Sequence, residues 1–308
     1  MRLINDVTQF KEALPRLVLT IGSFDGVHLG HQRILREVVA EARKRSGTAA
    51  SMTLQPHPRE YFSPQNAPNI LTDDEKKTEL MEKIGLDVFF YLPFNSLIAN
   101  MERQVFVEKI LLERCNAEMI LVGHDFAFGK GAEGNYAYLK SISSEYGFEV
   151  TEIPPLILHG ERVSSTLIRE AVLQGELDKA EVFLGRRYAI SGTVLAGRGM
   201  GKKLGFPTAN IEPHNKTIPA HGVYVAEVIY QGQKHAAAIN IGIAPTIRHE
   251  DIMIEAHILD FDKNIVDERI EIVFHKRLRP EAKYDSYDAL ISAIHKDVEA
   301  VRSYFVEL

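Results

Sequence analysis

The sequence predicts two domains, an α/β domain built on a parallel sheet and a small antiparallel β-barrel domain that ends in a helix. Its 308 residues suit two hydrophobic cores better than one. Residues 1–185 alternate short apolar runs with helical patterns, whereas residues 186–308 contain closely spaced strand patterns separated by turn residues. The shares of hydrophobic residues (45%) and charged residues (25%) are those of an ordinary globular protein.

The first domain, residues 1–185, shows strands and helices in alternation. Short runs rich in β-formers predict strands at residues 17–21, 49–54, 88–92 and 119–122. Apolar residues at helical spacing predict helices at residues 29–45, 72–84 and 105–114. Gly175 and Gly185 are the expected ends of two short helices. Because such alternation is typical of parallel strands, we expect a parallel sheet covered by helices on both faces.

The second domain, residues 186–308, has a different pattern of apolar and turn residues. Residues 222–230 and 234–241 are strand-like, with a Gln-Gly turn between them. Residues 252–261 and 269–274 are predicted to form a second such pair around residues 262–264. Strands this closely spaced favour a small antiparallel barrel. A final helix is predicted from about Ser286, and its apolar face consists of Leu290, Ile291, Ile294, Val298, Val301 and Phe305.

Charge and hydropathy argue against several classes of function. The 36 Lys and Arg residues against 42 Asp and Glu residues give a formal net charge of −6, which is unlike a nucleic-acid-binding protein. The longest uncharged apolar-leaning run, residues 236–247, is too short to span a bilayer, and the first residues lack the apolar core of a signal peptide. The single cysteine, Cys115, has amphipathic surroundings that predict a packed thiol. We therefore expect a cytoplasmic protein whose partners are small molecules rather than nucleic acid or membrane.

The first candidate site lies where the strand at residues 17–21 ends. Residues 22–31 read Gly-Ser-Phe-Asp-Gly-Val-His-Leu-Gly-His, and a helix follows. Backbone amides at a helix start attract phosphate, and glycines let it approach closely. His28 and His31 can point into one crevice at the carboxyl end of a parallel strand, where α/β sheets bind ligands. A histidine pair at this spacing is by itself more often a core or surface feature.

A second candidate element is the string Ser-Ser-Thr-Leu-Ile-Arg at residues 164–169. Its hydroxyls can cap the short helix that follows, and capping alone would explain them. Arg169, on the first turn of that helix, adds a guanidinium group suited to phosphate oxygens. The string is therefore a candidate phosphate-binding element.

Together, His-x-Gly-His and the distant Ser-Ser-Thr-x-x-Arg resemble the nucleotidylyltransferase superfamily. The longer string Gly-x-Phe-Asp-Gly-x-His-x-Gly-His resembles, more narrowly, the prokaryotic bifunctional riboflavin kinase/FAD synthetase family, and residues 56–60, 122–129 and 240–242 also agree with it. The resemblance covers nearly the whole chain. It implies an FMN adenylyltransferase domain of nucleotidylyltransferase type at residues 1–185 and a riboflavin kinase barrel at residues 186–308. The implied substrates and products are riboflavin, FMN, FAD and ATP, with Mg²⁺ as the cofactor.

The resemblance also implies roles for residues of the first domain. His28, His31 and Arg169 would act on the ATP phosphates, and the phosphate-binding residues around them would be Gly22, Phe24, Asp25, Gly30, Ser164, Ser165 and Thr166. The flavin side would consist of Pro56, His57, Pro58, Asp125, Phe126 and Phe128. Asp125 would lie near the flavin or a magnesium ion, or it is a turn residue that bonds its own backbone.

In the second domain, glycines precede a conspicuous string at residues 204–210. Gly197, Gly199, Gly201 and Lys202 look like a phosphate cradle, although the run fails the Walker pattern and could by itself be a flexible turn region. The complete string Gly-x-x-Leu-Gly-Phe-Pro-Thr-Ala-Asn resembles the riboflavin kinase signature. It implies phosphate-binding roles for the glycines and the lysine, and a magnesium site at Thr208 and Asn210, whose oxygens suit that ion.

Glu255 is the candidate general base of the second domain. Strand alternation places it on one face with Met253 and His257, and the apolar Ile254 on the other. A solvated barrel face is the alternative reading of this pattern. In the family, a glutamate in the matching Glu-x-His segment is the proposed base, which suits transfer to a neutral hydroxyl. His257 is interpreted as structural.

The chain departs from the family pattern at a few positions. Family members often have Tyr-Gly where this chain has Val266 and Asp267, and often Phe and Arg where it has Leu54 and Ala127. Two alternatives to a bifunctional enzyme therefore stay open: an adenylyltransferase with a weakened kinase domain, and a flavin-binding regulatory protein. Retention of phosphate-handling residues in both halves favours the bifunctional enzyme.

Overall fold

The computed structural model describes residues 1–197, 201, 204–214, 217–245 and 250–306. The chain divides into two compact units. Residues 1–68 and 74–164 form the first unit, and residues 69–73 and 165–308 form the second. Two short helices, α7 (Ser165–Gln174) and α8 (Leu177–Leu184), therefore belong with the barrel. The domain boundary at residue 185 stays a prediction.

A six-stranded parallel sheet forms the centre of the first unit. Its strand order is β1-β4-β3-β2-β5-β8, and every neighbouring pair is parallel. The strands of this unit are β1 (Arg2–Ile4), β2 (Leu17–Ile21), β3 (Ala49–Gln55), β4 (Val88–Pro93), β5 (Ala117–Gly123), β6 (Ala127–Phe128), β7 (Gly134–Asn135), β8 (Glu149–Ile153), β9 (Ile157–Leu158) and β10 (Glu161–Arg162). The predicted parallel sheet is confirmed.

Helices cover both faces of this sheet, as predicted, because alternate strand residues enter two different cores. Phe89 lies in one core with Leu35 and Met81, whereas its neighbour Phe90 lies in the other with Leu111. The helices are α1 (Leu29–Lys44), α2 (Pro58–Phe62), α3 (Asp74–Ile84), α4 (Ser96–Ala99), α5 (Arg103–Phe106), a π-helical segment that continues α5 (Val107–Arg114), and α6 (Tyr136–Tyr146). Cys115 is buried in the second core, and this burial raises the pKa of its thiol to about 12. The predicted packed thiol is confirmed.

The second unit is built around a closed antiparallel barrel of six strands, again as predicted. The strand order is β11-β12-β15-β14-β13-β16. The strands are β11 (Ala189–Leu195), β12 (Ala209–Pro213), β13 (Gly222–Tyr230), β14 (Gln233–Pro245), β15 (Glu250–Ile258) and β16 (Arg269–Arg279). A C-terminal helix, α9 (Tyr287–Val306), follows, and its buried Val298 and Val301 pack with Phe206 and Val225. Among the described helices, none combines the length and the apolar character needed to cross a membrane.

One predicted strand pair is wrong. Residues 252–261 and 269–274 do not form a hairpin, because β15 pairs with β12 and β14 while β16 pairs with β11 and β13. The connection between them begins at Leu259, whose N–H bonds Ala236 O at 2.8 Å, and ends near Asp267, whose N–H bonds Val194 O at 2.8 Å. Since each end is bonded to a different strand, the turn residues 262–264 lie in a crossover rather than in a tight hairpin turn.

Candidate active sites

The first site is a turn between β2 and α1. Three residues of this turn have positive φ angles: Phe24 at 51°, Gly26 at 81° and Val27 at 38°. Val27 N–H bonds Phe24 O at 3.0 Å and closes the turn. His28 then caps α1, because its Nδ1 accepts a hydrogen bond of 3.2 Å from the backbone N–H of His31. The turn thus delivers both histidines to the start of a sixteen-residue helix.

The rings of His28 and His31 are stacked on each other. Their centroids are 3.6 Å apart and their planes differ by 15°. Phe24 contacts His31 edge-on at 5.3 Å, and a Cβ built at Gly30 would lie 3.1 Å from the His28 ring. Phe24 and Gly30, two predicted phosphate-site residues, therefore shape the space of the histidine pair. The prediction that the two histidines meet in one place agrees with this geometry.

His31 has an unusual electrostatic setting. Burial holds its pKa well below the ordinary value of 6.5, and the neighbouring charges of His28 and Lys77 lower it further. Its Nδ1 is buried, and no hydrogen-bond partner for it lies among the residues described. At neutral pH the ring is therefore uncharged and offers a single N–H donor.

Lys77, on α3, was not predicted from the sequence. Its side chain is only 12% exposed, and its Nζ lies 3.2 Å from Asp74 Oδ1. Its positive charge lowers the pKa values of both His31 and His57, so Lys77 adds positive potential beside each of these two side chains. In the sequence it is one of two adjacent lysines on an ordinary amphipathic helix, which gives no signal for a site.

The predicted flavin-side residues fall into two groups. Residues 56–58 follow β3, and His57 caps α2 by accepting from the Arg59 N–H at 3.1 Å. Burial is the main reason why the pKa of His57 is lowered. Phe128 is buried in the core, and Phe126 stacks on it at 5.4 Å.

Asp125 lies in a turn closed by a 3.1 Å bond from Phe126 N–H to Gly123 O. Its carboxylate accepts a hydrogen bond of 2.7 Å from Arg162, and its side chain is 73% exposed. The ion pair with Arg162 is a contact that neither sequence-based reading of Asp125 included.

The Ser-Ser-Thr-x-x-Arg element is divided between the two units along the chain. Ser164 is the last residue of the first unit, whereas Ser165, Thr166 and Arg169 are in the first two turns of α7 in the second. Within the second unit, Arg169 Nε donates to the backbone carbonyl of Asn69 at 2.6 Å.

The barrel site is centred on a row of three side chains across neighbouring strands. Glu255 on β15 is the register partner of Asn210 on β12 and of Asn240 on β14. Asn240 Nδ2 donates a long hydrogen bond of 3.5 Å to Glu255 Oε2. Ile254 and Ala256, its chain neighbours, are buried. Glu255 therefore points away from the barrel core, between two amides, and Asn240 is a site residue to which the sequence assigned no role.

Glycines bring the preceding loop close to this row. A Cβ built at Gly197 would overlap with Asn210 Nδ2, and one at Gly201 would overlap with Phe206 O and lie 3.0 Å from Thr208 Oγ1. Only glycine fits at these two positions without displacing the polar side chains. The predicted Gly199 and Lys202 lie outside the described residues. His257 Nδ1 lies 2.8 Å from Pro207 O, next to Thr208, which supports its structural interpretation.

A histidine pair at a helix start on a parallel sheet and a carboxylate between two amides on a closed barrel fit a two-domain transferase, and the family comparisons show that class. A family model described as FAD synthetase matches residues 10–167, and one described as riboflavin kinase matches residues 184–305. The chain belongs to the bifunctional riboflavin kinase/FMN adenylyltransferase family. The resemblance deduced from the motifs is thereby confirmed.

Curated relatives match over their full length. Proteins named bifunctional riboflavin kinase/FMN adenylyltransferase are 37% identical in Haemophilus influenzae, with 99% of each chain covered, and 35% identical in Escherichia coli, with 99% of this chain and 98% of the relative covered. A crystal structure titled as a macrolide-efflux protein from Streptococcus pneumoniae has a TM-score of 0.87 at 28% identity, covering 98% of this chain and 99% of that one. The likeness in fold extends over both units.

Proposed function

We propose that this chain makes flavin cofactors in two ATP-dependent steps, phosphorylating riboflavin to FMN in the barrel domain and adenylylating FMN to FAD in the sheet domain. The observation that supports this best is the presence of two separate polar clusters, the stacked histidines and the Glu255 row, each within the segment that matches the corresponding family model. Residues 1–185 would form the adenylyltransferase domain and residues 186–308 the kinase domain, working in the cytoplasm.

In adenylyl transfer, an oxygen of the FMN phosphate attacks the α-phosphorus of ATP. The bond from that phosphorus to the bridging oxygen breaks, and pyrophosphate leaves. The nucleophile is already an anion and needs no general base, so the protein contributes positioning and donors for the developing charge. We assign these roles to the neutral His31 with its stacked partner His28. The phosphate-binding roles that the family resemblance implies for Arg169 and residues 164–166 stay predictions.

In the kinase step, a ribityl hydroxyl oxygen of riboflavin attacks the γ-phosphorus of ATP, and ADP leaves. The nucleophile is neutral and has to lose its proton, which we assign to the Glu255 carboxylate. The register of Glu255 between Asn210 and Asn240 would keep this carboxylate aimed outward from the barrel.

A magnesium ion suits the donors beside Glu255. The Thr208 hydroxyl and the Asn210 amide oxygen are hard ligands of the kind Mg²⁺ prefers, and Gly197 and Gly201 leave room beside both. When bound, the ion would neutralise charge on the ATP phosphates.

The deciding experiment supplies the purified protein with riboflavin, ATP and Mg²⁺ and separates the flavins by chromatography. Formation of FMN and then FAD supports the proposal. FAD from supplied FMN, with no product from riboflavin, would identify an adenylyltransferase with an inactive kinase domain. Absence of both products would favour a flavin-binding regulatory protein.

A further inference from the structure

The loop that carries Thr208 is tied to strand β15 by a side chain. Strand β12 begins at Ala209, which is the register partner of Ala256, so the strand ladder starts one residue after Thr208. Pro207 has no N–H and cannot extend that ladder. Its carbonyl oxygen instead lies 2.8 Å from Nδ1 of His257, the residue that follows Ala256 on β15. Thr208 is therefore held between the end of the strand ladder and this side-chain contact.

The chemistry of this contact fixes its direction. A backbone carbonyl oxygen only accepts hydrogen bonds, so Nδ1 of His257 has to carry the hydrogen. In a neutral imidazole, a hydrogen on Nδ1 leaves Nε2 as an acceptor. The contact with Pro207 therefore requires one particular tautomer of His257, and the tautomer of a histidine can be measured.

Phe206 supports the imidazole of His257 from the side of the loop. The two rings meet edge-on with their centroids 5.6 Å apart, and Phe206 also contacts the ring of His295 on α9 at 4.8 Å. Phe206 is buried in the core beneath α9, and its backbone N–H bonds Gly201 O at 2.8 Å. The ring that backs His257 is thus itself fixed, which keeps Nδ1 directed at the Pro207 carbonyl.

His257 and Glu255 extend from the same face of β15, because they are two residues apart on one strand. Glu255 is the register partner of Asn210, and Thr208 lies two residues before Asn210 in the chain. A hydrogen bond from His257 to the carbonyl that precedes Thr208 therefore fixes the loop with the proposed magnesium ligand relative to the strand with the proposed base.

We propose that His257 is a positioning residue for the riboflavin kinase reaction: its Nδ1–H holds the Pro207 carbonyl and so keeps the Thr208 hydroxyl in place beside Glu255. The inference rests on the proposed roles of Thr208 and Glu255, and it extends the structural interpretation of His257. Because phosphoryl transfer depends on geometry, a small displacement of a positioned group lowers the rate. Loss of this one neutral hydrogen bond should lower the kinase rate about 3- to 10-fold.

The first measurement concerns the hydrogen bond itself. Nitrogen-15 NMR of the full-length protein, labelled in its histidine rings, should show His257 with its hydrogen on Nδ1. The signals of His257 are assigned as those that disappear in His257→Phe. A hydrogen on Nε2 alone would overturn the proposal, because Nδ1 could then not donate to the Pro207 carbonyl.

The second measurement separates the donor from the ring, in full-length variants. His257→Asn places an amide N–H at the same number of bonds from the backbone as Nδ1 but removes the ring, whereas His257→Phe keeps a ring against Phe206 and has no donor. For His257→Phe we expect kcat/KM for ATP in FMN formation to fall about 3- to 10-fold, while His257→Asn stays within about twofold of the parent. Riboflavin affinity should be unchanged in both variants and reports the folding of the barrel.

Thr208→Ala, measured alongside, separates the failure of this inference from the failure of the role on which it rests. If Thr208→Ala slows FMN formation and His257→Phe does not, Thr208 keeps its role and His257 loses its own. If Thr208→Ala also forms FMN at the parental rate, both assignments are overturned. A kinase loss in His257→Asn as large as in His257→Phe, or a parallel loss of riboflavin affinity, would show a general structural role and would also overturn the proposal.

Discussion

The two proposed sites differ in the charge that they place beside the nucleophile. The sheet domain offers stacked, largely buried imidazoles and a lysine that lowers the pKa of His31, whereas the barrel offers a carboxylate between two amides. Both sites use ATP, so ATP does not explain the difference. The nucleophile explains it, since the FMN phosphate carries negative charge at neutral pH and the ribityl hydroxyl has a proton to lose. Each of the following experiments tests this contrast.

The largest effect is expected for Glu255→Gln, which keeps the size of the side chain but removes the base. The riboflavin kinase rate should fall about 100- to 10,000-fold. Riboflavin affinity should change much less, because the carboxylate acts chiefly in the transfer step. FAD formation from supplied FMN should continue, because it belongs to the other domain, and the retained riboflavin affinity serves as the control for folding of the barrel. A kinase rate within a few-fold of the parent would exclude Glu255 as the base.

The converse variant is His31→Ala in the sheet domain. We expect a loss on the order of 100-fold or more in FAD formation, because one oriented donor to the transferred group is removed. FMN formation in the barrel should stay near the parental rate. Measuring both rates on one preparation provides the control. Parental FAD formation in this variant would remove His31 from the mechanism and leave its buried Nδ1 unexplained.

These contrasts depend on residues that the sequence revealed to different degrees. The strands that are continuous apolar runs, such as residues 17–21 and 88–92, were predicted because burial on both faces leaves a strong local signal. The edge strands β1 and β8 were not predicted, since Arg2–Ile4 is very short and Glu149–Ile153 contains two glutamates. The false hairpin after β15 arose because local turn residues do not reveal which strand a crossover reaches.

The candidate sites show the same limit. Motif residues such as His28, His31 and Glu255 lie on the kind of element that the sequence predicted, because turn geometry and the alternation of side chains along a strand are local properties. Lys77 and Asn240 lie on a different helix and a different strand from the motif residues that they influence or contact. Sequence spacing does not predict which helix or strand packs next to a motif, so these neighbours are found only in the folded structure.

An intermediate effect is expected for Gly197→Ala. The added methyl group would overlap with Asn210 Nδ2 and displace this amide from the row beside Glu255. Because a shift of about 1 Å in a positioning group can cost up to about 100-fold, we expect a kinase loss of roughly 10- to 100-fold. The control is Gly232→Ala, in the turn between β13 and β14, where a Cβ would meet nothing within 4 Å but the φ of +77° strains an alanine. It therefore reports what backbone strain in the barrel does to the kinase rate without any overlap with the Glu255 row. Equal kinase losses in both variants would contradict the specific role of Gly197.

The smallest effect concerns Asp267, where family members often have glycine. Asp267 has a φ of +66°, the left-handed region that glycine enters freely and that aspartate tolerates better than most residues. Its backbone N–H still bonds Val194 O at 2.8 Å, so the departure from the family keeps the turn that a glycine would form. We expect Asp267→Gly to change the free energy of unfolding by less than about 1 kcal/mol, and Asp267→Ala to lower it by about 1 kcal/mol or slightly more, measured by denaturant titration. The kinase rate of Asp267→Gly should stay within about twofold of the parent, because the added freedom lies in the backbone and removes no group from the Glu255 row. A several-fold faster kinase in Asp267→Gly would mean that this chain has a weakened barrel activity, and the contrast between the two sites would then be one of strength as well as of chemistry.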